Sequence, residues 1–142
     1  MKFLNFSIDS QHTGLTWADG GYADLHNDFD FLKLQYLQAT AVIKLTWRKS
    51  AEKWAQDVPW QSLHLIFEGV SYFRVKERNP EVPISEGATL QHICFAPIEV
   101  REEFENIYFT HSAESNYDLL LYFQNEWGIK VDAATVRLQL ES

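Results

Sequence analysis

The sequence predicts a mainly β protein, either an antiparallel sheet sandwich or a partly open barrel with one or two short helices; an α+β fold is the alternative. Three observations favour this class. Apolar and aromatic residues alternate with polar ones along short runs, as in half-buried strands. The 142 residues are 46% hydrophobic and 15% aromatic, enough for one core. No linker or repeat divides residues 1–142, which are therefore predicted to form a single domain.

The alternating runs give the positions of the strands. Segment 2–8 predicts a modest first strand. The runs 30–37 and 40–48 are separated by only a few residues, so they are expected to pair as an antiparallel hairpin. Further strands are predicted in "TLQHICFA", "NYDLLLYFQ", "GIKVDA" and "TVRLQLE".

Apolar residues alternate on both sides of Gly69 in the segment 62–78, "SLHLIFEGVSYFRVKER". Glycine adopts a positive φ without steric cost. Gly69 therefore marks either a two-residue hairpin turn or a bulge within one long strand. Either alternative predicts a sheet and gives no sign of catalytic chemistry.

Two segments predict short helices. Ser50 precedes a run of helix formers and is expected to cap one or two helical turns that end at Pro59. Segment 97–109, "PIEVREEFENIYF", fits a strand or a helix that begins at Pro97. We favour the helix because four glutamates in seven residues are unfavourable in a strand. Such a helix would expose an acidic stripe of Glu99, Glu102, Glu103 and Asn106.

The net charge of -8 is confined to the second half of the chain. Residues 1–80 hold nine acidic and nine basic residues, whereas residues 81–142 hold eleven acidic and three basic ones. An acidic field repels nucleic acid and anionic membranes and attracts a basic protein. We therefore expect a basic protein partner, with no nucleic acid and no membrane. The residues expected to bind it are Glu99, Glu102, Glu103 and Glu105, which steer the encounter, and Trp127, an aromatic anchor.

No catalytic, metal or cofactor site is predicted. Asp24, His26, Asp28 and Asp30 would share one face of an extended chain, but their spacing matches no established cation site and favours a solvated turn and strand start. No nucleophile or zinc-binding motif is present in the sequence. The single cysteine, Cys94, has apolar neighbours that predict a buried thiol in a reducing compartment. Without a signal-peptide pattern or a long apolar run, the expected location is cytoplasmic.

Two stretches, "LHNDFDFLKLQYLQATAVIKLTW" and "LHLIFEGVSYFRV", resemble small bacterial immunity proteins of polymorphic-toxin systems, in particular the immunity-protein-fifty group. The matching positions are Leu25, His26, Phe67, Gly69 and Val70. Asn27 departs from the family pattern, which has aspartate there. The resemblance covers roughly residues 24–76. It implies a β-rich fold that neutralises a toxin, and it implies no catalytic residues.

Two functional hypotheses follow from the sequence. The first is a non-enzymatic protein-binding domain, such as an immunity protein whose acidic surface neutralises a basic toxin. The alternative is a small-molecule or carbohydrate-binding β-domain, or an enzyme built on one. That alternative predicts a pocket in which His26, His64, His92 or His111 converges with carboxylates.

Overall fold

The computed structural model describes residues 1–104 and 117–142, and these residues form ten strands. The strands are β1 (Lys2–Phe3), β2 (Ser7–Ile8), β3 (Gly14–Trp17), β4 (Gly21–Asp24), β5 (Phe29–Leu37), β6 (Val42–Lys49), β7 (Ser62–Lys76), β8 (Leu90–Pro97), β9 (Tyr117–Phe123) and β10 (Gly128–Glu141).

The main sheet has the strand order β5-β6-β7-β10-β9-β8, and every neighbouring pair on this path is antiparallel. β1 adds to β10 in parallel, while β2, β3 and β4 form a small second sheet. The main sheet curls into a half-barrel, so the predicted mainly β class is confirmed, and its form is the partly open barrel. The predicted hairpin of β5 and β6 is also present.

The helical elements of the described chain are short 3-10 turns: Ala18–Gly20, Gln38–Thr40, Lys53–Ala55, Ile84–Ala88 and Ile98–Val100. The turn at Lys53–Ala55 lies in the predicted 50–59 helix, and the Ser50 hydroxyl accepts the Glu52 N–H at 3.3 Å. Within the ranges that the structure describes, none of the helical segments has the length and apolar character needed to span a bilayer.

The predicted helix beginning at Pro97 is wrong for residues 97–104. Pro97 is the last residue of β8, where it pairs with Tyr117 of β9, and only the 3-10 turn Ile98–Val100 follows. Glu99, Glu102 and Glu103 lie in this turn and the chain just after it, outside the strand that their charges would have disfavoured. Residues 105–109, the rest of the predicted helix, lie outside the described residues.

The concave face of the half-barrel holds the main core. The fully buried side chains of Trp47, Phe67 and Phe123 come from β6, β7 and β9, and Trp47 and Phe67 are in the phase that the alternation predicts. Phe31 of β5 packs against this group, with its ring centroid 5.1 Å from that of Trp47 and 4.9 Å from that of Phe123. The alternating residues of β6 and β7 therefore form part of the packed centre.

β7 is one long strand with a bulge, which decides between the two alternatives for Gly69. β10 pairs Asp132 with Tyr72 but Ala133 with Val70, so Ser71 is the extra residue in β7. Gly69 has a φ of +67°, a conformation that glycine adopts readily. The residues of β7 after the bulge are less buried than residues 63–67, and the end of the strand is one wall of the cavity described below.

Gly69→Ala is expected to destabilise the protein by about 1–3 kcal/mol, because a side chain is strained at this φ. The added Cβ would also lie 2.9 Å from the Cβ of Ala134. Gly20→Ala is the matched control, since Gly20 has a φ of +74° and a Cβ added there would have no neighbouring atom within 4 Å. Urea unfolding of both variants measures the difference. Equal losses would contradict the steric part of this explanation.

Candidate functional site

The outer face of the main sheet carries an exposed acidic segment, residues 98–104, which we call the acidic turn. Glu99, Glu102 and Glu103 are all exposed there. Glu102 forms an ion pair with Arg74 of β7. Three of the four glutamates predicted to steer a partner therefore lie together on one short turn, and the fourth, Glu105, lies outside the described residues.

Lys130 attaches the acidic turn to the sheet. This lysine of β10 is fully buried, and its Nζ donates to the carbonyl oxygens of Val100 at 2.7 Å and Arg101 at 3.3 Å, and also to that of Glu103. The ammonium group also lies 5.0 Å from the Phe104 ring centroid. Burial lowers the pKa of Lys130, because it disfavours the charged form. Three carbonyl acceptors nevertheless satisfy the three N–H donors of the side chain.

Arg101 makes the second attachment. Its guanidinium donates to both carboxylate oxygens of the fully buried Asp118 in β9, through two contacts of 2.9 Å. It also lies 3.3 Å from Asp132 of β10 and stacks 4.3 Å from the Tyr72 ring centroid. The hydrogen bonds to Asp118 raise the pKa of Arg101. The turn is therefore held by a bidentate charged pair as well as by Lys130.

A small apolar cluster completes the attachment. Phe104 is buried against Cys94, Ala96 and Leu120 on the outer face of β8 and β9. Gly128 of β10 leaves room for this ring, since a Cβ there would lie 2.8 Å from the Phe104 Cδ1. Cys94 packs as a small buried hydrophobe, as the sequence predicted.

Trp127 lies on the opposite face of the sheet from the acidic turn, at the edge of the main core. Its ring stacks on Phe123 with centroids 4.2 Å apart and an interplanar angle of 13°. Its Nε1 donates to the Gly87 carbonyl at 3.0 Å, and Phe31 lies 5.3 Å away. The structure therefore does not bring the predicted anchor together with the predicted steering residues.

Trp127 instead forms part of an open cavity of about 480 Å³ between β5, the end of β7 and the Ile84–Ala88 turn. Its apolar lining residues are Phe31, Leu32, Val75, Ile84, Ala88 and Trp127. No local pattern in the sequence indicates this cavity, because its walls come from four separate segments. Only the exposed apolar residues of β5 and of the 84–88 turn could have drawn attention to it.

The polar cluster at residues 24–30 forms a turn. The Asp24 carboxylate accepts the backbone N–H groups of His26 at 3.0 Å and Asn27 at 2.9 Å, and the His26 Nδ1 lies 2.7 Å from the Leu90 carbonyl oxygen. The chain is thus not extended here, so these residues do not share one strand face. In the described ranges, no three histidine, cysteine or acidic side chains are placed to hold a metal ion.

His64 meets a carboxylate, as the alternative hypothesis requires of a histidine. Its Nε2 lies 3.2 Å from Glu141 and its Nδ1 lies 3.0 Å from the Thr46 hydroxyl. Hydrogen bonds from Ser62 and His64 lower the pKa of Glu141. His64 and Thr46 are both buried. This group links β6, β7 and the end of β10.

Stability is expected to fall as the pH drops from 7 towards 5, because of His92. Burial lowers the pKa of His92 in the folded protein, and the nearby His12 and His26 lower it further. The unfolded chain then binds more protons than the folded chain between the lowered pKa and the ordinary value of about 6.5, so acidification favours unfolding. Urea unfolding at several pH values measures this slope. His92→Gln should flatten it, and an unchanged slope would contradict the assignment.

Comparison of the chain with protein-family models, with curated proteins and with solved structures gave no match. The arrangement of the described side chains is therefore the basis for the proposals that follow.

Proposed function

We propose that this protein is a non-enzymatic protein-binding domain that recognises a basic partner through the acidic turn. One observation carries the proposal: a fully buried lysine, Lys130, fixes a short segment whose glutamates are exposed. Burying a charged group is unfavourable unless it is well paired. Here the buried charge holds an exposed segment in one conformation, and a fixed conformation favours recognition of a partner.

An ordered turn lowers the cost of binding. A partner that meets a flexible loop must order it, whereas the acidic turn is already held by Lys130, Arg101 and Phe104. Exposed carboxylates mainly accelerate the encounter with a positively charged surface and select against acidic proteins. The excess negative charge of residues 81–142 acts in the same direction.

The resemblance over residues 24–76 supports a toxin as the partner. Immunity proteins act by binding, which agrees with the protein-binding role proposed for the acidic turn. We therefore propose that the basic partner is a toxin of a polymorphic-toxin system, encoded beside the gene of this protein. The proposed location of the complex is the cytoplasm.

The test is a charge-reversal experiment with the protein encoded by the neighbouring gene. The double variant Glu99→Lys, Glu103→Lys leaves the Glu102–Arg74 pair intact. We expect its association rate to fall by about tenfold or more at low salt, and the loss to shrink at high salt because exposed charges are screened. Surface plasmon resonance measures both rates.

The matched control is the double variant Glu52→Lys, Asp57→Lys, which changes the net charge equally at exposed positions away from the acidic turn. It should slow association less than the turn variant. Equal effects of the two variants would show that only the net charge matters. No binding by the unmodified protein would overturn the choice of partner.

A further inference from the structure

We propose that the cavity between β5, the end of β7 and the Ile84–Ala88 turn binds a small amphipathic molecule with an apolar body, an N–H donor and one carboxylate. This site goes beyond the proposed protein-binding function, and the residues that form it are not those of the acidic turn.

The size and lining of the cavity fit a small molecule. Its volume of about 480 Å³ lies in the range of roughly 300–1,000 Å³ that is usual for ligand sites. Leu32, Val75 and Ile84 line it and are 50%, 46% and 75% exposed. Three large apolar side chains around one concavity are thus left in contact with water, and an apolar ligand body would cover them.

The inner wall is rigid. Trp127 is fixed by its stacking on Phe123 and by its hydrogen bond to the Gly87 carbonyl. A Cβ at Gly87 would lie 2.7 Å from the Asn125 Nδ2 and 3.2 Å from the Trp127 Nε1, so the backbone must approach both side chains closely. A preformed aromatic wall loses little conformational freedom when a ligand binds.

One cation of the cavity can pair with an anion. Arg78 lines the cavity beside a single acid, Glu77, and donates to the carbonyls of Asn79 and Val82. Arg78 forms no ion pair with an acid of the described chain, so its remaining N–H groups can pair with a carboxylate of the ligand. Lys76 also lines the cavity, but its ammonium lies 5.4 Å from the Tyr122 ring centroid, on the face of the sheet that carries the acidic turn.

Asn125 has a buried acceptor atom that a hydrogen-bond donor of the ligand could satisfy. Its side chain lines the cavity and is only 2% exposed, and its Oδ1 accepts no hydrogen bond from the residues that the structure describes. A buried acceptor without a donor is unfavourable. An N–H group between the apolar body and the carboxylate of a ligand would supply that donor.

The experiment uses N-decanoylglycine, which has all three features. Two matched probes each lack one of them: its methyl ester lacks the charge, and its N-methyl analogue lacks the donor. We expect calorimetry to show binding of the parent compound, with affinity at least fivefold lower for each of the other probes. The Trp127 indole N–H resonance, assigned with Trp127→Phe, should shift on binding.

The variant Arg78→Gln should bind the acid and its methyl ester equally, because the cation that distinguishes them is gone. Arg48→Gln is the matched control at an exposed position elsewhere, and it should retain the preference for the acid. The turn variant Glu99→Lys, Glu103→Lys should also retain it, which separates this proposal from the protein-binding one.

Three outcomes would overturn the proposal. The first is equal affinity of the unmodified protein for all three probes. The second is a preference for the acid that survives the loss of Arg78. The third is tighter binding of a tetrapeptide with a free carboxyl terminus than of N-decanoylglycine, which would assign the cavity to a protein partner.

Discussion

Arg101→Ala is expected to lower the free energy of unfolding by about 3–5 kcal/mol, the usual cost of removing one partner of a buried charged pair. The change leaves the carboxylate of Asp118 fully buried without its bidentate donor. The variant also loses the stacking of the guanidinium on Tyr72. Since the Arg101 side chain is 29% exposed, some water can reach the site, and we expect a value near the lower end. Urea unfolding at neutral pH measures the loss.

Two comparisons make this prediction specific. Asp118→Asn in the Arg101→Ala background removes the unpaired charge and should restore part of the lost stability. Arg137→Ala removes an arginine from an exposed ion pair with Glu68, and we expect a loss below about 1 kcal/mol. Similar losses for Arg101→Ala and Arg137→Ala would mean that the buried pair does not hold the acidic turn.

Lys130→Met is expected to cost about 2–3 kcal/mol and to release the acidic turn. Methionine keeps an apolar chain of similar length but donates to none of the carbonyls of Val100, Arg101 and Glu103, and hydrogen bonds from a charged donor contribute about 1.5–3 kcal/mol each. The loss is smaller than their sum because a released turn can bond with water. Hydrogen exchange should show faster exchange of the Arg101 and Glu103 amides, which bond within the turn.

Lys33→Met provides the control, because Lys33 is exposed on β5 and should change stability by less than about 0.5 kcal/mol. If Lys130→Met left the exchange of the turn amides unchanged, the attachment of the turn would have to come from Arg101 and Phe104 alone.

The sheet could be predicted because its signal is local. Alternation in β6 and β7 gives the buried face of each strand without knowledge of its neighbours, and the short connection between β5 and β6 specifies their pairing. In β5 a bulge between Phe31 and Lys33 changes the phase, so Phe31 faces the core and Leu32 is exposed. Gly69 shows the limit of such reasoning. A two-residue hairpin turn and a G1 bulge both place glycine at a positive φ, and only the pairing of β7 with β10 shows that the chain continues here as one strand.

The features around the acidic turn could not be predicted. Lys130 alternates with Ile129 and Val131, so its phase places it correctly on the outer face of β10. Nothing local shows that residues 98–104 cover this face and bury the lysine. The wrong helix at Pro97 has a related cause: the helical spacing of apolar residues included Phe104, which packs in the outer cluster at the end of an irregular turn. The cavity likewise depends on contacts between distant segments.

The binding strength of Lys130→Met is the most direct test of the claim that an ordered acidic turn recognises the partner. The variant keeps every acidic side chain of the protein, and its proposed partner is the protein encoded by the neighbouring gene. We predict that its dissociation constant, measured by calorimetry at a temperature where the variant is folded, is about five- to tenfold higher than that of the unmodified protein, because the partner must order the turn. An unchanged dissociation constant would contradict the account.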